Sequence, residues 1–147
     1  MNFIEGLGSM GFIFALLLPA LGSASGINAA GMAAIGAWKK LFIKGEPAPF
    51  IMVTFVGAPL SQVIYGMILM NAIIGAPETV MPLVKFNIGF FGGIAIGASA
   101  WFQGRIGALA SDALAEGKKG FAYYIMVLGV VETVGLFVMV FFMTQLR

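Results

Sequence analysis

Four apolar stretches alternate with three short polar breaks, a pattern that predicts four membrane-crossing helices. The spans fall at 10–37, 49–74, 83–115 and 120–145. The breaks run from Trp38-Lys39-Lys40 to Glu46-Pro47-Ala48, from Gly75 to Pro82, and across Glu116-Gly117-Lys118-Lys119. About 20 helical residues cover a hydrocarbon core of roughly 30 Å. The first and third stretches exceed that length and are expected to project past the lipid, with Asn28 and Asp112 in or near water.

A weak internal repeat organises these spans. Gly11-Phe12, Ala20, Gly26 and Ala30 recur 78 residues later as Gly89-Phe90, Ala98, Gly104 and Ala108. The fold class is therefore all-α and integral to the membrane, with two tandem duplicated hairpins at 1–77 and 78–147. A shift of 70 lays Gln62 over Glu132, so one hairpin carries an amide where the other carries a carboxylate. Small residues stud the first and third spans, as Ala20, Gly22, Ala24 and Gly26, and as Gly89, Gly93 and Gly97. Such faces let helices approach closely in lipid. They fit packing inside one bundle, and they equally fit the inner wall of a homo-oligomeric ring.

Composition agrees with the membrane reading, since 61% of the 147 residues are hydrophobic and only 10% are charged. The chain has no His and no Cys, which removes zinc, haem, thiolate and disulfide chemistry; no organic cofactor is expected. A net charge of +2, scattered along the chain, gives no footprint for nucleic acid. The opening MNFIEGLGSM lacks the basic start of a signal peptide, so the first span is expected to stay in the membrane. Lys39, Lys40, Lys44, Arg105, Lys118 and Lys119 gather at one end of the hairpins, against Lys85 and Arg147 at the other. The positive-inside rule then places the 38–48 and 116–119 loops in the cytoplasm and both termini outside. Those charges either set topology alone or also contact a cytoplasmic partner.

Against this background Glu132 stands out, a carboxylate in the middle of FAYYIMVLGVVETVGLFVMVFF with no Lys or Arg in the run. A charge at that depth costs about 2.5–3.5 kcal/mol even on mild insertion scales, and such residues usually serve ion or proton movement. Counted from the cytoplasmic helix ends, Gln62, Gln103 and Glu132 all lie 12 or 13 residues in, roughly 18–20 Å deep at 1.5 Å per residue. Ala58, Ser61, Gln62 and Tyr65 share one helical face, and Pro59 frees backbone carbonyls nearby. Taken singly, Gln62 or Gln103 fits interhelical hydrogen bonding as well as ligation. Ser61 alone fits a bond back to its own helix, and Tyr65 fits packing. Together they offer oxygens without nitrogen or sulfur ligands, which suits a hard cation such as Na⁺. A proton needs only the carboxyl.

The segments PLSQVIYG, FQGR and VVET, in that order and at matching depth, resemble the membrane rotor proteolipid (the c or K subunit) of vacuolar- and archaeal-type rotary ATPases, in its duplicated four-helix form. The likeness covers nearly the whole chain. It implies a cell-membrane, multi-pass subunit that is not catalytic alone and that carries ions for ATP hydrolysis or synthesis. By likeness to sodium-type bacterial members, Glu132 is the ion-binding carboxylate. Gln62, Gln103 and Ser61 are side-chain ligands, Ala58 lends its backbone carbonyl, and Tyr65 hydrogen-bonds the carboxylate. Position 61 is Ser where Thr is common, and position 58 is small where a larger aliphatic is common. The implied partners are identical copies in a ring, a static membrane subunit with an essential arginine, central-stalk subunits at the cytoplasmic loops, and lipid. A proton-carrying rotor remains open, as does a small four-helix proton-coupled transporter. The small neighbours Gly129, Val131 and Thr133 offer little to stack a ligand in the latter.

Overall fold

The computed structural model describes residues 3–147, which form helices joined by short connections, with no strand among them. Helix α1 covers Phe3–Ile43. The second span, Phe50–Ile74, is assembled from a 3₁₀ turn, helix α2 (Val53–Gly57), a second 3₁₀ turn (Ala58–Leu60) and helix α3 (Ser61–Ile74). Helix α4 runs over Pro82–Gly117 and α5 over Phe121–Met143. Among the described residues four stretches are long and apolar enough to cross a membrane, as the hydrophobic pattern predicts.

Two boundaries differ from expectation for physical reasons. Helix α1 exceeds the 10–37 span at both ends, because hydropathy marks the lipid-crossing part whereas backbone hydrogen bonding continues into water. The second span is not one uniform helix. Pro59 lacks an N–H for the carbonyl of Phe55, and the chain tightens into a 3₁₀ turn there before α3 resumes.

The closest packing joins α1 and α4, which come from different hairpins. They run parallel: Gly8 lies against Pro82, Gly93 against the carbonyl of Phe14, Gly97 against that of Leu18, and Lys40 against Asp112. A Cβ at Gly97 would sit 2.5 Å from the Leu18 oxygen, so glycine sets the spacing of this pair. The stripe Gly89, Gly93 and Gly97 thus packs within the bundle. Helix α3 runs antiparallel to α1, where Gly66 faces Ala15 and Pro19. Helix α5 closes the bundle on α3 and α4.

Burial arranges the interior in three layers. One apolar cluster contains Ala34, Leu41, Met52, Phe55, Leu114 and Leu128 at the end bearing the connections 44–49 and 118–120, shorter than the expected 38–48 and 116–119 loops because α1 continues to Ile43 and α4 to Gly117. Another contains Ala15, Leu69, Ile73, Ile88, Ile96 and Met139 towards the opposite end. Between them lie Ser23, Gln62, Ser99 and Gln103, all buried. The outer surface stays apolar, with Val127, Val130, Val134, Phe137 and Phe141 of α5 exposed. Such a surface is satisfied by lipid.

The two loops at the first end are tied together. Lys118 pairs with Glu46 at 2.7 Å, and the Trp38 indole donates to the Pro49 carbonyl at 3.0 Å. The hydrogen bond from Lys118 holds the Glu46 carboxyl below its ordinary 4.5. The turn into α5 uses Gly120 at φ 98°, a conformation most side chains resist.

Candidate functional site

The middle layer owes its polar character to three elements arriving at one depth. Helix α5 brings Glu132, α4 brings Gln103 from the antiparallel direction, and α3 begins at Ser61-Gln62 just after the 3₁₀ turn. Tyr65 follows Ser61 by four residues and shares its face. The Tyr65 hydroxyl donates to Glu132 Oε1 at 2.7 Å. Gln103 Nε2 donates to the Leu128 carbonyl at 3.1 Å and reaches Glu132 Oε2 at 3.4 Å, a long and weak bond. Gln62 Nε2 donates to Gln103 Oε1 at 2.8 Å. The four side chains therefore form one chain of hydrogen bonds.

Ser61 adds oxygen to this group. Its Oγ lies 3.1 Å from the Ala58 carbonyl and 3.1 Å from Gln62 Oε1. A hydroxyl has one proton, so it satisfies only one of those acceptors at a time. The other oxygen pair faces itself without a hydrogen between, an arrangement that a small cation would stabilise. The donor set is otherwise carbonyl and carboxylate oxygen, which fits a hard ion such as Na⁺. Among the described residues no cluster of three or more His, Cys, Asp or Glu exists, so a multi-acid metal centre is not formed.

Gln62 and Gln103 are fully enclosed, whereas Glu132 is half-buried. The carboxylate borders an open cleft of about 440 Å³ between the second span and α5, lined by Thr54, Gly57, Ala58, Ile125 and Gly129. Ala58, with only a methyl group, and Gly129, with no side chain, keep that approach open. A carboxylate with two uncharged donors, and no Lys or Arg partner among the described residues, is held by dipoles alone.

Every residue singled out in the sequence is in or beside this cluster: Glu132, Gln62, Gln103, Ser61, the Ala58 carbonyl and Tyr65. Pro59 acts through the backbone; it is buried and places the 3₁₀ turn that sets Ser61. The freed Phe55 carbonyl turns towards Gly107 of α4 rather than towards the cluster. Sequence reasoning missed Ser99, whose hydroxyl donates to the Val131 carbonyl at 2.8 Å and pins the turn carrying Glu132 to α4. Its signal was available, since Ser99 precedes Gln103 by four residues on the same helical face.

The half of the chain that holds Gln103, Ser99 and Glu132 has a family likeness. Residues 86–144 match the family model for the ATP synthase C subunit. The match spans most of α4 and all of α5, hence Gln103 and Glu132. It stops short of the first hairpin, which supplies Ala58, Ser61, Gln62 and Tyr65. Among curated proteins none matches the chain significantly.

Proposed function

We propose that this protein is the ion-carrying subunit of the rotor ring in a vacuolar- or archaeal-type rotary ATPase, and that Na⁺ is its cargo. The observation that carries the reading is a single intramembrane carboxylate, Glu132, held by Tyr65 and Gln103 beside a surplus of oxygens. It lies in the segment that matches the ATP synthase C-type family. In this mechanism Na⁺ takes up the Glu132 carboxylate, the Gln62 and Gln103 amide oxygens, the Ser61 hydroxyl and the Ala58 carbonyl. Bound Na⁺ neutralises Glu132, so the site passes through lipid as the ring of identical copies turns. At a static membrane subunit an arginine displaces the ion and opens the site to one side of the membrane.

Each charge crossing 100 mV carries about 2.3 kcal/mol, which rotation couples to ATP turnover on a soluble head. The loops at 38–48 and 116–119, tied by Glu46 and Lys118 and rich in lysine, are the surface for central-stalk subunits in the cytoplasm. A proton rotor would need the carboxyl alone, and the oxygens of Ser61, Gln62 and Ala58 would then serve only the hydrogen bonds among themselves.

A hydrophobic carbodiimide, which attacks protonated membrane carboxyls, separates these readings. The purified protein is expected to be labelled at Glu132 and protected by Na⁺ at constant ionic strength. Labelling that follows pH but ignores Na⁺ would replace sodium by the proton. A monomeric mass in mild detergent would count against the ring.

A further inference from the structure

Ser23 of α1 is 1% exposed, and its hydroxyl is the one buried side-chain polar atom without a hydrogen-bond partner among the described residues. Buried polar groups are normally paired, so an orphan needs a reason. The α1–α3 register supplies one. These helices run antiparallel, with Gly26 against Pro59 and Pro19 against Gly66. Both pairs of residue numbers add to 85, and the same rule sets Ser23 level with Gln62. Pro19, Ser23, Gly26 and Ala30 form the buried face of α1, so Ser23 turns inwards within the polar middle layer.

Gln62 has a matching need. Its carboxamide carries two N–H donors. One is given to Gln103 Oε1 at 2.8 Å, and among the described residues no other acceptor takes the second. When Na⁺ occupies the Gln62 and Gln103 amide oxygens, it competes with Gln62 Nε2 for Gln103 Oε1 and weakens the bond between the two amides. Gln62 is fully enclosed, so its nitrogen cannot turn to water for another acceptor. From this we propose that Ser23 is a positioning residue for the ion site: its hydroxyl accepts from Gln62 Nε2 in the ion-bound state and holds Gln62 Oε1 on the cation. The idle hydroxyl and the idle N–H are two halves of a bond that forms on ion binding. The inference rests on the sodium reading above and adds to it a residue of the first span, outside the segment matched to the ATP synthase family.

The test is the Na⁺ concentration that half-protects Glu132 from carbodiimide, measured on the purified full-length protein for wild type, Ser23→Ala, Gln62→Leu and the double variant. Leaving one buried donor unpaired in the bound state raises that concentration between about fivefold and a hundredfold in Ser23→Ala. The pH dependence of labelling without Na⁺ stays as in wild type. Thermal unfolding without Na⁺ occurs no lower than in wild type, because the substitution removes an unpaired hydroxyl. In the Gln62→Leu background Ser23→Ala adds nothing further. The proposal is overturned if Ser23→Ala matches wild type in Na⁺ protection, or if it weakens protection equally with and without Gln62. A Na⁺-free melting loss large enough to account for the weaker protection would also overturn it. A wild-type protein indifferent to Na⁺ is a different failure: it removes the sodium reading, and this inference with it.

Discussion

Replacing Gly66 by Ala tests whether glycine spacing, rather than general apolarity, holds in place the helix that carries Ser61, Gln62 and Tyr65. Residue 19 is proline, so the Ala15 carbonyl has no N–H partner four residues on and is turned towards Gly66 instead. A Cβ at position 66 would lie 2.6 Å from that oxygen and 2.9 Å from Pro19 Cγ. Ordinary contact begins at 3.4 Å, so α3 must move by about 0.8 Å. A backbone oxygen and a proline ring cannot swing aside, which places the strain in the upper part of the usual 1–3 kcal/mol for overpacking. Alanine returns about 1 kcal/mol of helix propensity. The net loss is about 1–2 kcal/mol. Gly36→Ala serves as the control, because nothing lies within 4 Å of its added Cβ. Thermal unfolding in the same detergent should place Gly66→Ala below wild type and Gly36→Ala at or above it. Tyr65 sits on the displaced turn with a 2.7 Å bond to Glu132, so Na⁺ protection of the carboxylate weakens as well. A Gly66→Ala protein as stable as the control would refute the packing argument.

Other expectations follow from particular bonds. Ser99→Ala unpins α5 at Val131 and should lower stability by about 0.5–1.5 kcal/mol in thermal unfolding. Ser61→Ala removes one oxygen from the cluster and should weaken Na⁺ protection of Glu132 by roughly tenfold, whereas Ser61→Thr keeps the hydroxyl and should protect like wild type. The Glu46–Lys118 tie has a carboxyl lowered from its ordinary 4.5, so its contribution is full above that value and disappears as pH falls through the lower folded-state value. Fluorescence of Trp38, bonded to the Pro49 carbonyl, should report loosening of this loop in acid, and Glu46→Gln should abolish that acid transition.

Much of this arrangement is written in the order of residues. The four spans follow from the length of apolar runs, because lipid forces each run to satisfy its backbone internally. The convergence of Gln62, Gln103 and Glu132 follows from counting 1.5 Å per residue along helices whose ends are marked by Lys39–Pro49 and Glu116–Gly120. The partner of each helix is less legible. Glycines at 89, 93 and 97 announce a close approach, but only the fold reveals that α1 receives it rather than the neighbouring span. Inward and outward faces are hard to tell apart when both are apolar, so the burial of Ser23 has no signal in the sequence, whereas Ser99 is marked only by its four-residue spacing from Gln103. The 3₁₀ turn at Ala58–Leu60 is signalled by Pro59, yet the aim of the freed Phe55 carbonyl at Gly107 depends on the packing of α4.

The claim that Glu132 carries the transported ion is tested most directly in the assembled complex, reconstituted into vesicles. ATP-driven uptake of ²²Na⁺ is measured for wild type and for Glu132→Gln, which keeps the size of the side chain and removes its charge. The account predicts robust uptake by wild type and none by the variant, with the ring still assembled. Uptake by Glu132→Gln at the wild-type rate would contradict it.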